Sequence, residues 1–124
     1  MVDTSSTIYV VDDDDFVRDA LRTLLKSVGY KKVEVFKSAQ AFWNSEYHQG
    51  ECVLVLDVRM PGMNGLELQR LLADSGVAMP IIFISAHEDI RAREKAMAAG
   101  AVAFLQKPFE DQTLLDAINR VLDV

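Results

Sequence analysis

Ile8-Tyr9-Val10-Val11-Asp12-Asp13-Asp14-Asp15-Phe16 sets an apolar, β-prone run directly against four aspartates, and apolar residues then recur at helical spacing. The same change of period returns along the chain. Apolar runs at Val33 to Phe36, Val53 to Leu56, Ile81 to Ile84 and Val102 to Leu105 are each followed by a helical stretch, which makes five strand and helix units. In the first helix Phe16, Ala20, Leu21, Leu24, Leu25 and Val28 form an apolar face opposite Arg18, Asp19, Arg22 and Lys26, and Gly29 supplies a left-handed stop. Later helices are expected at Ala39 to Tyr47, Leu66 to Ala73, Ile90 to Ala99 and Leu114 to Leu122, with Gly76 and Gly100 as further stops. Strict alternation with short connections implies right-handed crossovers and a parallel sheet covered by helices on both faces. The expected fold is α/β, a single five-stranded parallel sheet in the flavodoxin-like order 2-1-3-4-5, where ligand chemistry gathers at the strand ends beside the switch between strands one and three.

The bulk sequence sets the class. Its 124 residues suit one domain, 1–124, and a composition 50% hydrophobic and 26% charged is that of a globule and not of a disordered or low-complexity chain. The longest apolar runs are far short of a membrane span, and Met1 to Thr7 reads as a polar leader lacking a signal-peptide core, so a cytoplasmic location is expected. Cys52 opens an apolar run with no lysine or histidine adjacent in sequence to activate a thiol and is read as a buried structural cysteine. The formal net charge is −6, and the one basic doublet, Lys31-Lys32, is placed in a turn, so direct nucleic-acid binding by this domain is not expected.

The carboxyl ends of the strand runs carry the chemistry. Asp12, Asp13 and Asp14 follow the first run, Asp57 the third, Ser85 the fourth and Lys107 the fifth, while the second ends in Lys37-Ser38. Only the strand that the expected order puts on the edge, away from the switch, lacks such a residue. Carboxylates crowded at one point repel unless a cation sits among them, and a hard oxygen-ligated ion such as Mg²⁺ suits Asp12, Asp13 and Asp57. Ser85 can donate to a phosphoryl oxygen and Lys107 can neutralise another. Asp57, alone at the end of its apolar run, is the best-placed nucleophile toward phosphorus.

Each residue also has a plainer reading. An acidic run after a strand is commonly a solvated loop with capping carboxylates, which is how Asp14 and Asp15 are read. Taken singly, Asp57 is a turn residue, Ser85 a helix N-cap and Lys107 a surface lysine. Their joint placement at neighbouring strand ends favours the functional reading. Phe42, Trp43 and Tyr47 at helical spacing are read as packing, and Met60 and Met63 as gap fillers around Pro61-Gly62.

Val10-Val11-Asp12-Asp13, Leu56-Asp57-Val58-Arg59-Met60-Pro61-Gly62-Met63-Asn64-Gly65, Ile84-Ser85-Ala86 and Lys107-Pro108-Phe109 together resemble two-component response regulator receiver domains of the CheY-like superfamily, over essentially the whole chain. Arg59, Gly100-Ala101-Val102 and Lys107-Pro108-Phe109-Glu110 resemble the FixJ type within it. The resemblance implies a signalling switch and not an enzyme with an external substrate. It implies that Asp57 is the phosphoacceptor for a sensor histidine kinase, that Asp12, Asp13, Asp57 and the backbone carbonyl of Arg59 hold Mg²⁺, and that Ser85 and Lys107 bind the phosphoryl group. Ser85 stands where the family often has Thr, and Phe104 occupies the switch-aromatic position where Tyr is also found, so Ser85 and Phe104 are the expected switch pair. His87, two residues beyond Ser85, has two readings from its position alone: a modulator touching the phosphate or the attacking water, and, more plainly, an exposed histidine with neither role.

The resemblance further implies a phosphorylation-dependent homodimer and control of transcription through a C-terminal effector domain, with a stand-alone regulator as the alternative. The expected dimer face is the fourth helix and fifth strand, made compliant by Ala96, Ala98, Ala99, Ala101 and Ala103. A phosphohydrolase with an Asp-x-Asp motif is disfavoured by Asp15-Phe16 after the motif and by the lack of a cap insertion. A flavin site is disfavoured because no Ser/Thr/Gly-rich loop follows the first strand.

Overall fold

The computed structural model describes residues 5–47 and 50–122. Its elements run β1 (Thr7–Val11), α1 (Asp15–Ser27), β2 (Lys32–Phe36), α2 (Ala39–Trp43), β3 (Cys52–Asp57), α3 (Gly65–Asp74), β4 (Ile81–Ser85), α4 (Ile90–Ala98), β5 (Ala103–Gln106) and α5 (Asp111–Leu122). The strands form one five-stranded sheet in the order β2-β1-β3-β4-β5, and all four pairings are parallel. This is the expected CheY-like fold and strand order. No helix among the described residues is long and apolar enough to cross a membrane.

Side chains alternate across the pleat, so each central strand feeds two cores. Tyr9, Val11, Leu54, Leu56 and Phe83 pack toward Ala39, Phe42, Leu68, Leu72, Ala92 and Ala96 of α2, α3 and α4. Ile8, Val10, Val53, Val55, Ile82 and Ile84 pack toward Leu21, Leu25, Leu114, Leu115 and Ile118 of α1 and α5. Helix ends follow local chemistry. Asp14 caps α1 by accepting from the amides of Phe16 and Val17, Asn64 and Glu67 close a capping box on α3, and Gly29, Gly76 and Gly100 take φ of +110°, +75° and +99°.

Several local expectations are corrected. Phe16 is 86% exposed, because it lies about half a turn around α1 from the buried Leu25 at roughly 100° per residue; Ala20 is exposed for the same reason. The second helix stops at Trp43 instead of Tyr47: the Ser45 hydroxyl donates to the Phe42 carbonyl at 2.6 Å and closes the chain early. Tyr47 still stacks on Phe42, 4.9 Å between ring centroids, from outside the helix. Lys32 opens β2, where a turn was expected, and Thr7, assigned to a leader, opens β1; the two are cross-strand partners. Residues 1–4 of that leader lie outside the described residues. Ala96 and Ala101 are buried in the core and not on an outer face. Cys52 is buried as expected, and burial pushes its thiol upward.

Gly65 opens α3 against the end of β3. A Cβ there would lie 2.4 Å from the Asp57 carbonyl oxygen and 3.1 Å from a ring carbon of Phe83, so only glycine permits this approach. Gly65→Ala is expected to lower stability by about 1–3 kcal/mol, the usual scale of forced overpacking, in urea unfolding of the whole chain. An unchanged midpoint would show that the loop yields freely.

Candidate functional site

The register brings the chemistry-bearing residues to one edge of the sheet. Val11 pairs with Leu56 and Asp57 with Ile84, so Asp12, Asp57, Ser85 and, just past β5, Lys107 stand side by side across four strands. Asp57 and Ser85 are the last residues of β3 and β4, and Lys107 follows Gln106. The Lys107–Pro108 peptide bond is cis.

Asp12 is fully buried. Its carboxylate accepts the Asp14 amide at 2.9 Å and the Lys107 ammonium at 2.9 Å, while its carbonyl accepts a guanidinium N–H of Arg18 at 2.7 Å. Arg18 also pairs with Asp15 one turn away. The same Lys107 Nζ lies 3.9 Å from Asp57 Oδ1. Asp12, Asp13 and Asp57 each offer a carboxylate oxygen, and the three oxygens lie within 4.8 Å of one another. Asp13 is exposed and faces solvent, so the cluster is reachable from outside.

Asp57 is 5% exposed, and burial, followed by repulsion from Asp12, pushes its carboxyl from an ordinary 3.8 up to about 7. Lys107 and a backbone hydrogen bond from Arg59 oppose that rise without cancelling it. The pocket is therefore short of positive charge. An all-oxygen donor set with two buried members and one open to water suits a hard divalent cation, so the residues present fit Mg²⁺.

The expected phosphate ligand Ser85 is 1% exposed. Its hydroxyl donates to the His87 carbonyl at 2.9 Å and accepts the His87 amide at 3.2 Å. His87 thus meets Ser85 through its backbone, while its side chain is exposed and lines a cavity of about 100 Å³ with Ile90, Arg93 and Phe104. Phe104 is half-buried and packs on Phe83 at 6.1 Å between centroids. At Arg59 the backbone N–H serves Asp57, and the guanidinium reaches Asp89 Oδ2 at 2.9 Å.

Asp89 was not singled out from the sequence. It caps α4 by accepting the Ala92 amide at 3.0 Å, and that bond, with help from Arg59, holds its carboxyl below the usual range. An aspartate immediately before a helical run signals a cap, but its partner thirty residues upstream leaves no local trace. The second miss is the Arg18 bond to the Asp12 carbonyl, which places an α1 side chain behind the acidic cluster.

Comparison with known proteins adds four findings. Residues 8–119 match the response regulator receiver domain family. The response regulator protein TmoT of Ectopseudomonas mendocina is 49% identical over 122 residues, 98% of this chain and 55% of that protein. The transcriptional regulatory protein FixJ of Rhizobium meliloti is 42% identical over 117 residues, 94% of this chain and 57% of that protein. The crystal structure of FixJ-N superposes with a TM-score of 0.88 at 41% identity, covering 99% of this chain and 96% of that one. The chain spans about half the length of the curated relatives it matches.

The raised pKa of Asp57 sets a pH dependence without added metal. Below 3.8 both folded and unfolded chains hold its proton; between 3.8 and about 7 only the folded chain does. Its contribution to stability is thus full in acid and is lost as pH rises through that window, at about 1.4 kcal/mol for each tenfold in acidity. Urea unfolding in EDTA at successive pH values is expected to show Asp57→Asn gaining on the parent from pH 4 to pH 7. Parallel curves for the two proteins would contradict the origin assigned to the shift.

Proposed function

The chain belongs to the response regulator receiver domain family, and on that premise we propose that Asp57 takes a phosphoryl group from a phosphohistidine of a sensor histidine kinase. A receiver domain is a signalling switch. One observation supports the assignment above others: three carboxylate oxygens of Asp12, Asp13 and Asp57 within 4.8 Å of one another, with Lys107 bridging two of those residues. Asp12, Asp13, Asp57 and the Arg59 carbonyl would hold Mg²⁺. When bound, Mg²⁺ supplies the missing positive charge, keeping Asp57 ionised and screening it from phosphoryl oxygens.

In the transfer step one Asp57 oxygen forms the new P–O bond as the P–N bond to the donor imidazole breaks, and the electron pair returns to that ring nitrogen. The Arg59 amide orients the attacking carboxylate, and Lys107 neutralises charge on the transferred group. The domain catalyses this transfer, and the later hydrolysis, only upon itself. Ser85 then exchanges its bond to the His87 carbonyl for one to a phosphoryl oxygen, and the half-buried Phe104 turns toward the space released. His87, adjoining both groups, modulates the exchange.

The output is assigned to α4 and β5. Ile90 and Met97 are 63% and 41% exposed, and with the exposed Ala98 and Ala99 they provide the apolar area of a phosphorylation-dependent homodimer. FixJ and TdiR are named transcriptional regulatory proteins; by analogy the domain, 1–124, controls transcription in the cytoplasm through a further effector domain, and this domain itself binds neither DNA nor membrane.

Acetyl phosphate with Mg²⁺ is expected to add one phosphate by intact mass, Asp57→Asn to abolish the increase, and Asp13→Ala to lose labelling together with metal affinity. Stoichiometric labelling of the Asn variant would defeat the acceptor assignment.

Sedimentation with a beryllofluoride mimic is expected to show dimerisation tightened by roughly one or two orders of magnitude, corresponding to a coupling of about 1 to 3 kcal/mol. Ser85→Ala is expected to bind the mimic and lose that response. A Ser85→Ala dimer constant that tracks the parent would refute the route from phosphate to interface.

A further inference from the structure

Two loops flank the acceptor, and a single carboxylate joins them. Asp89 Oδ1 accepts the Ala92 amide and so fixes the first turn of α4, while Asp89 Oδ2 accepts the Arg59 guanidinium from the loop that follows Asp57. Between Ser85 and Asp89 only Ala86, His87 and Glu88 intervene, and this short stretch carries both groups that occupy the Ser85 hydroxyl, the amide and the carbonyl of His87. The segment is therefore held at both ends. For the Ser85 hydroxyl to donate toward a group on Asp57, its bond to the His87 carbonyl must open, while Arg59 holds Asp89 at the far end of the same short segment.

We propose that the Arg59–Asp89 ion pair is an autoinhibitory latch on the β4–α4 loop, which favours the arrangement in which Ser85 is engaged by His87 and so opposes engagement of the phosphoryl group. Asp89 and the Arg59 side chain act as positioning residues, because neither touches a reacting atom. The pair is suited to a weak latch. Arg59 is 60% exposed and Asp89 25%, so the contact is hydrated and salt-screened, and exposed pairs of this kind bias an equilibrium by a few-fold without locking it. The local alternative is that Asp89 serves solely as a helix cap. Asparagine separates the two roles, since it caps as well as aspartate does but cannot form the ion pair.

This inference rests on Asp57 being the acceptor. The test measures beryllofluoride affinity with saturating Mg²⁺ for the parent, Asp89→Asn, Arg59→Gln and the double variant. Asp89→Asn is expected to tighten binding by about two- to fivefold in the parent background and to change nothing in the Arg59→Gln background, the scale being that of an exposed pair. A gain of equal size in both backgrounds would reveal only the loss of a nearby negative charge, and no gain in either would reveal only a cap; each result overturns the latch. Failure of the parent itself to bind the mimic overturns the acceptor assignment and the latch with it. Amide exchange of His87 without metal provides a readout independent of the phosphoryl site: Asp89→Asn should accelerate it by a similar factor, and unchanged protection would also overturn the proposal.

Discussion

The contact between the buried Asp12 carboxylate and the Lys107 ammonium, 2.9 Å long, is the constraint around which the site is organised. An ionised carboxylate without water must be paired or hydrogen-bonded, and Asp12 has both, from Lys107 and from the Asp14 amide. In the sheet order β1 and β5 are separated by β3 and β4, so Lys107 has to pass over the end of β3 to reach Asp12. That path brings its charge within 3.9 Å of Asp57. A single lysine cannot balance the carboxylates there, and the remaining cost falls on Asp57, whose proton is held to about pH 7. A buried carboxyl poised this way responds strongly to an added cation.

Everything else in the fold keeps those strand ends level. The five strands run parallel and nearly in step, and separate apolar cores on the two faces fix their spacing. A one-residue slip would carry a core side chain to the wrong face, so the register at the acidic edge is as secure as the packing beneath it. Gly65 extends the constraint to the helices: its amide bonds the Val58 carbonyl at 2.9 Å, and its missing Cβ lets α3 seat directly on the carbonyl of Asp57. Behind α3, buried Gln69 donates to the Ala96 carbonyl of α4 at 3.0 Å. Asp57, α3 and α4 are thus in continuous contact.

Against this rigid edge the β4–α4 loop is self-sufficient. Among the described residues no buried side-chain nitrogen or oxygen lacks a partner, and Ser85 obeys that rule by bonding His87. A phosphoryl group at Asp57 would therefore exchange one set of hydrogen bonds for another instead of filling a vacancy. Exchanges of this type leave a small free-energy gap between two arrangements, which is what a reversible switch requires.

The order of elements, the strand order and the residues of the acidic edge were legible in the sequence, because apolar periodicity reports burial directly and because short crossovers allow few topologies. Asp12, Asp57, Ser85 and Lys107 could be gathered on paper for that reason: each ends or follows a strand, and parallel strands end together. Other features belonged to the tertiary structure alone. Phe16 has the composition of a core residue, yet the angular position of α1 on the sheet turns it outward. The second helix was shortened by one serine hydroxyl competing for a backbone carbonyl, a contest that propensity does not resolve. The double engagement of Asp89, the turning of Ser85 toward His87 and the reach of Arg18 behind Asp12 join residues through side-chain geometry at loop ends. Pattern reports which face of an element is buried; only the packed structure decides which polar groups then lie close enough to bond, because that depends on ångström-scale distances that residue types do not encode.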